Sequence, residues 1–140
     1  VASPAYLEQH GRPKTPDDLR RHSGLRYTLA DRQGWRFHDA NGRLYEVHPD
    51  TVLAANNGDH ITQVCEAGLG IAMLPLFITH AGIRDGRLEI LLPDYHIEPV
   101  GLYLVYPPGR YLSRRVQVFA EHMAARFQVK APWADCFAPG

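Results

Sequence analysis

The sequence predicts an α/β fold, and three observations carry that prediction. Residues 51–56 read as a strand, the residues after Asn57 as a helix, and residues 70–74 as a nearly all-apolar strand, which is the order of a βαβ unit. Asn41-Gly42 stands between two short alternating runs, the signal of a two-residue hairpin turn. Residues 113–128 carry one apolar stripe at helical spacing, with charged residues opposite. The chain has 140 residues, 45% of them hydrophobic and 21% charged, which is globular composition with enough length for a real core.

The elements follow in order. Ser3 is placed to cap a short helix, Pro4 suits its first position, and Gly11 follows as a stop. Thr15-Pro16-Asp17-Asp18 starts a second short helix to about His22, with both carboxylates in the first turn, where the helix dipole favours them. Residues 24–29 read as a strand. Residues 35–38 and 43–47 are the arms of the hairpin. After the strand 51–56, Ile61, Val64, Cys65 and Gly68 fall at helical spacing, and Gly68 and Gly70 end that helix. The apolar run 70–74 fits a strand buried on both faces, and its crossover from 51–56 is expected to be right-handed. Residues 75–80 form a short helix closed by Gly82. Residues 88–92 and 100–106 read as strands, stopped by Pro93-Asp94 and Pro107-Pro108-Gly109. Ser113 caps the last helix, whose stripe is Val116, Phe119, Ala120, Met123 and Phe127. Residues 130–140 read as a loose tail. The last strand and helix carry a full apolar face although the preceding elements already make a small α/β unit. They are therefore expected to belong to a neighbouring subdomain.

The bulk numbers narrow the function. Lys and Arg total 15 and Asp and Glu total 15, so the formal charge is zero, and the basic excess that phosphate neutralisation demands is missing. No run of about 18 apolar residues exists to span a membrane. The first residues are neither a signal peptide nor a basic arm, and without an initiator Met the chain is expected to have been cut or matured. Cys65 and Cys136 make no disulfide framework, which points to a reducing cytoplasm.

Catalytic chemistry is not signalled. No nucleophile elbow is present, and of Ser3, Ser23 and Ser113 two sit where helix caps belong. The eight histidines have no metal-ligand spacing and neither cysteine lies in a Cys-x-x-Cys pair, so no metal or cofactor is expected. Gly68-Leu69-Gly70 follows a helix, not a strand, which is the wrong setting for a dinucleotide loop. The one positive feature is Asn56-Asn57-Gly58-Asp59, which joins the carboxyl end of a strand to a helix start. Ligands of open α/β sheets bind at such junctions. Simple capping by Asn57 or Asp59 explains the same residues, and both readings stay open.

An ordered series of segments resembles the LysR-type transcriptional regulators. It runs from Ser3-Pro4-Ala5-Tyr6-Leu7, Gly11-Arg12-Pro13 and Pro16-Asp17-Asp18-Leu19 with His22, through Trp35-Arg36-Phe37, to the junction Asn56 to Asp59. It continues with Ala67-Gly68-Leu69-Gly70-Ile71-Ala72-Met73-Leu74-Pro75, Gly86-Arg87-Leu88 and Leu92-Pro93. It closes with the run 102–107, then Arg110-Tyr111-Leu112-Ser113 and the Val116/Phe119 helix. Each piece is short, but the series in this order and spacing, over about residues 1–128, is specific.

The resemblance implies a periplasmic-binding-protein type II-like effector domain of two α/β lobes with a ligand cleft between them. This chain then supplies one complete lobe, the second subdomain (residues 1–100), plus a strand and helix returning to the first (101–128) and a tail (129–140). The family's winged helix-turn-helix has no counterpart in these residues. The implied function is an effector-sensing domain: a small molecule, often a carboxylate, binds between the lobes and shifts their orientation, and so controls transcription allosterically. The implied partners are that effector, DNA only through the domain missing here, and further copies in a homodimer or homotetramer, in the cytoplasm and without a membrane. Candidate ligand residues are Asn57, Gly58 and Asp59, with Tyr27, Thr28 and Phe77 near strand ends. Asp59 is an awkward neighbour for a carboxylate. A stand-alone periplasmic-type solute-binding protein is the alternative, and it needs an export signal and a complete first lobe. A small α/β enzyme needs a convergent catalytic constellation. The spacing shows none of these.

Overall fold

Ser3 caps the first helix as the sequence predicts: its Oγ accepts the Tyr6 N–H at 3.4 Å at the start of helix α1, Pro4–His10. The computed structural model describes residues 1–29, 34–99, 101, 103–106, 113–128 and 133, which fall in two units, Val1–Glu98 and Pro99–Gly140. The second predicted helix is a 3-10 helix, Pro16–Arg21. The Asp18 carboxylate accepts from the Lys14 and Thr15 N–H groups and the Thr15 hydroxyl at 2.9–3.0 Å. That grip tightens the first turn, and the piece stays in 3-10 form over six residues, longer than most 3-10 runs.

Five strands follow or interleave with two further helices: β1 Ser23–Tyr27, β2 Trp35–His38, β3 Leu44–Val47, β4 Asp50–Ala55, α2 Gly58–Glu66, β5 Ile71–Ala72 and α3 Leu76–Arg84. The main sheet has the order β4-β1-β5 and is parallel throughout. The strand–helix–strand order of the sequence is present, but β1 lies between β4 and β5. The pattern of hydrophobicity agrees with these positions: Leu25 of the central strand is fully buried, whereas β4, which has no partner on its outer edge among the described residues, is largely exposed.

β5 is shorter than the predicted run 70–74, since only Gly24 and Leu25 pair with it. On its other side the Ala72 N–H donates to Val1 O at 2.9 Å, and Ala2 and Glu89 exchange both backbone hydrogen bonds, at 3.2 and 2.8 Å. The strand predicted over 88–92 reduces to this single bridge at Glu89. Its partner segment ends where α1 begins at Pro4, and Leu92 turns the chain with φ 54°.

Two more sequence expectations change. Gly82 does not close a helix over 75–80; it lies buried inside α3, where an added Cβ would meet Glu66 Oε1 at 2.7 Å and Leu88 Cδ1 at 3.0 Å. The helix runs on to Arg84, and the glycine past its end is Gly86, with φ 72° in open space. The hairpin turn is longer than two residues. Asp39 pairs with Arg43 by its backbone, its carboxylate accepts from the Asn41 and Arg43 N–H groups, and only Gly42 takes a positive φ, 79°. The Asp39 carboxylate thus stabilises a longer turn ending in a left-handed glycine.

Both faces of the main sheet are covered. On one face Leu25, Ala72 and Leu88 pack with Ile61 and Cys65 of α2. The other cluster joins Ile71 to Tyr6, Leu7, Leu19, Trp35, Phe37 and Val47, from α1, the 3-10 helix and the β2–β3 hairpin. Tyr6 is its polar anchor: its hydroxyl accepts the Ser23 N–H at 3.0 Å and lies 3.3 Å from Nδ1 of buried His22.

In the second unit, α4 spans Arg114–Gln128, and Ser113 Oγ accepts the Val116 N–H at 3.4 Å, the predicted cap. Phe119, on the predicted apolar stripe, is 52% exposed. Gly101 and residues 103–106 form no strand. A strand needs a neighbour for its backbone groups, and the described residues of this unit provide none. Val100, Leu102, the Pro107-Pro108-Gly109 stop, Arg110-Tyr111-Leu112 and, apart from Trp133, the tail 129–140 lie outside the described residues.

Candidate functional site

Because β4, β1 and β5 are parallel, their carboxyl ends lie along one edge of the sheet. All six candidate residues belong to that edge. Tyr27 ends β1 opposite Ala55, the last residue of β4. The Thr28 N–H donates to Ala55 O at 2.9 Å, so the pairing reaches one residue past the strand and holds Thr28 at the rim. Asn57, Gly58 and Asp59 follow β4 directly, and Phe77 stands in the first turn of α3, after β5.

The junction itself is built by capping. Asn57 Oδ1 accepts the His60 N–H at 3.0 Å, and Asn57 O accepts the Ile61 N–H at 3.2 Å. Gly58 is buried, and an added Cβ would stand 2.5 Å from Ile78 Cδ1, so the residue allows α2 and α3 to approach closely. The side chain of Asn57 is thus committed to the helix start, while its α2 neighbour Asp59 is exposed and, among the described residues, held by no ion pair. Tyr27 and Thr28 are half-buried, and Phe77 is 55% exposed, presenting a ring to solvent at the same edge.

Arg26 escaped the sequence reading. It is exposed on the central strand, one residue before Tyr27, and no ion pair holds it among the described residues. The signal was present: a charged residue inside an apolar strand segment must either pair or face solvent. Leu29, 67% exposed just beyond Thr28, was likewise passed over.

Side chains of reactive type have structural duties. The Cys65 thiol lies against Gly70 O at 3.4 Å and Val1 O at 3.5 Å, and burial pushes its pKa up, which disfavours the reactive thiolate. Burial holds the His22 imidazole below its ordinary pKa. Ser3 and Ser113 are caps. Among the described residues no three His, Cys, Asp or Glu side chains are grouped to hold a metal ion. No described helix is long and apolar enough to cross a membrane. The arrangement at the sheet edge suits recognition: backbone dipoles, an aromatic ring, hydroxyls, and charges of both signs at Arg26 and Asp59.

Comparison with known proteins places this geometry. The LysR substrate binding domain family model matches residues 1–128. An uncharacterised HTH-type transcriptional regulator of Escherichia coli K12, YhjC, is 38% identical over 126 residues, covering 88% of this chain and 42% of its own length. The HTH-type transcriptional activator AaeR of the same organism is 32% identical, covering 90% and 41%. The chain therefore spans about two fifths of these relatives. Among solved structures, the regulatory domain of AphB from Vibrio vulnificus superposes with a TM-score of 0.73 at 27% identity, over 89% of this chain and 61% of that one. The CrgA regulatory domain from Neisseria meningitidis, a LysR-type transcriptional regulator, gives 0.58 at 31% identity, over 70% and 48%.

Proposed function

The chain belongs to the LysR substrate-binding domain family, and from that premise we propose that it is the effector-sensing part of a LysR-type transcriptional regulator. The observation that carries the proposal is the family match over residues 1–128, joined to relatives that are themselves HTH-type transcriptional regulators. The fold is the α/β, periplasmic-binding-protein type II-like fold that the resemblance implied, and the solved neighbours are regulatory domains. The solute-binding alternative has no such support.

In this reading a small metabolite settles on the carboxyl edge of the β4-β1-β5 sheet, touching Tyr27, Thr28, Asn57, Gly58, Asp59 and Phe77. Such edges expose the unpaired N–H groups of a helix start to a ligand. Arg26 supplies the charge for a carboxylate, and offsets Asp59. Ligand binding favours one arrangement of a two-lobed sensor over another, by as much as its affinities for the two differ. The regulator acts in the cytoplasm as a homodimer or homotetramer, reads DNA through a winged helix-turn-helix outside these residues, and carries out no turnover.

The test uses the full-length regulator. A thermal-shift screen of small metabolites, carboxylates included, identifies a ligand that stabilises it. DNA binding measured by fluorescence anisotropy with and without that ligand then has to change. Unchanged DNA affinity with every stabilising ligand overturns the regulatory reading. Stabilisation that survives both Thr28→Ala and Arg26→Ala relocates the ligand away from this edge.

A further inference from the structure

Four of the described histidines have rings engaged with other groups. His22 meets the Tyr6 hydroxyl, His10 and His80 meet the backbone carbonyls of Tyr6 and Phe77, and His48 lies 3.3 Å from Glu46. His38 and His96 differ. Their backbones exchange two hydrogen bonds, His38 N–H to His96 O and His96 N–H to His38 O, both at 2.7 Å. That mutual exchange is the hydrogen-bonded pair of an antiparallel ladder, with Cα atoms about 5.5 Å apart and both side chains on the same face. The face is the outer one: along β2, Trp35 and Phe37 are buried, while Arg36 is exposed and His38 half-exposed. His96 is exposed. Among the described residues neither imidazole has a hydrogen bond, ion pair or ring contact. The nearest carboxylate in sequence, Asp39, is already taken up by the Asn41 and Arg43 N–H groups and the Tyr45 hydroxyl.

The two imidazoles therefore extend from directly opposed residues on one outer face, with no described side chain engaging either ring. We propose that His38 and His96 bind a divalent transition-metal cation of the nickel, copper or zinc class. Imidazole suits these ions, and the hard cations calcium and magnesium prefer oxygen ligands. Water completes the coordination sphere, as no set of three side-chain ligands is grouped among the described residues. The bound ion ties the β2–β3 hairpin to the last stretch of the first unit, which ends at Glu98. It therefore reinforces a contact that two backbone hydrogen bonds now make. The site is separate from the effector edge and does not depend on the proposed function.

The test titrates nickel chloride, and separately copper chloride, into the full 140-residue chain by calorimetry. One equivalent is expected to bind, with a rise in Tm that excess EDTA reverses. His38→Ala and His96→Ala should each weaken binding by at least the roughly 10–100-fold that even outer partners of a metal site are worth. His122→Ala, on α4, should bind as the parent does. Metal-free far-UV circular dichroism and Tm of both site variants, at half-exposed His38 and exposed His96, should match the parent and so separate lost ligation from lost folding. Absence of binding by the parent, or the parent's affinity retained in His38→Ala/His96→Ala, overturns the proposal.

Discussion

Gly70 sits where the approach to β5 crosses the start of β1, and replacing it with alanine tests the packing of the main sheet. A Cβ there would stand 2.4 Å from Ser23 O, 3.1 Å from Ser23 C and 3.2 Å from Leu25 Cγ. Ordinary contact lies near ~3.5 Å, so the two strands must part by roughly 1 Å. The obstacle is a backbone carbonyl, which no change of rotamer can move aside. Overpacking of this kind costs about 1–3 kcal/mol. Loosening the Gly24–Ile71 and Leu25–Ala72 pairs adds about 1 kcal/mol for each hydrogen bond lost. The stiffer unfolded chain returns about 0.4–1 kcal/mol. The net expectation is a loss of about 2–4 kcal/mol, or about 10–20 °C in Tm for a unit of this size. Gly86→Ala is the matched control: its φ of 72° strains an alanine, but nothing lies within 4 Å, so the loss should be only about 1–2 kcal/mol. Urea unfolding in a Trp133→Phe background, followed by the fluorescence of Trp35, which is 3% exposed, reports on the first unit. A Gly70→Ala midpoint that places the loss within about 0.5 kcal/mol of the parent, or below that of Gly86→Ala, refutes the steric argument.

Asn57→Ala removes the Oδ1 that accepts the His60 N–H and should cost about 1 kcal/mol in urea unfolding, whereas Asn57→Asp keeps an acceptor and should retain the parent midpoint closely. Tyr6→Phe strips the hydroxyl from both the Ser23 N–H and His22, and leaving these groups without it should cost about 1–3 kcal/mol by the same measurement. The pH dependence of His22 has a definite sign. Burial, then the like charge of His10, lowers its folded pKa below the ordinary 6.5, against the opposing pull of Asp18. Above that value the ring is neutral folded or unfolded and contributes no pH dependence; as pH falls through it the unfolded chain takes the proton first, and stability drops. Urea midpoints should decline below about pH 6.5 less steeply in His22→Gln than in the parent, and parallel curves would show that His22 is not responsible. In a Cys136→Ser background, Cys65 should react with a thiol reagent far more slowly in the folded chain than in urea at the same pH, since it is fully buried and its thiolate is disfavoured.

How much of this protein is legible in one dimension follows from the range of the forces involved. Local devices could be read directly. Ser3 and Ser113 cap helices because a hydroxyl reaches an N–H three residues on, and the spacing along α2 marks its buried side. The family was legible too, as an ordered series of such short segments, and with it the α/β class and the sensing role now proposed. The junction at Asn57 to Asp59 was found from its place between a strand and a helix. What could not be read were relations set by residues far apart. The sequence does not say that β1 inserts between β4 and β5, because pairing of parallel strands depends on which surfaces remain uncovered after the helices pack. It marks Gly82 as a stop, while only Glu66 and Leu88, brought in from outside the helix, show why a glycine lies inside α3. It predicts a strand at 88–92, but among the described residues Ala2 alone pairs there, with Glu89. His38 and His96, 58 positions apart in a chain read by spacing, become a pair only when the hairpin and the end of the first unit meet. Local hydrogen bonds and periodicity act within a few residues and are written in the sequence; the juxtaposition of strand ends, glycine contacts and histidines is decided by tertiary packing, where distance along the chain no longer matters.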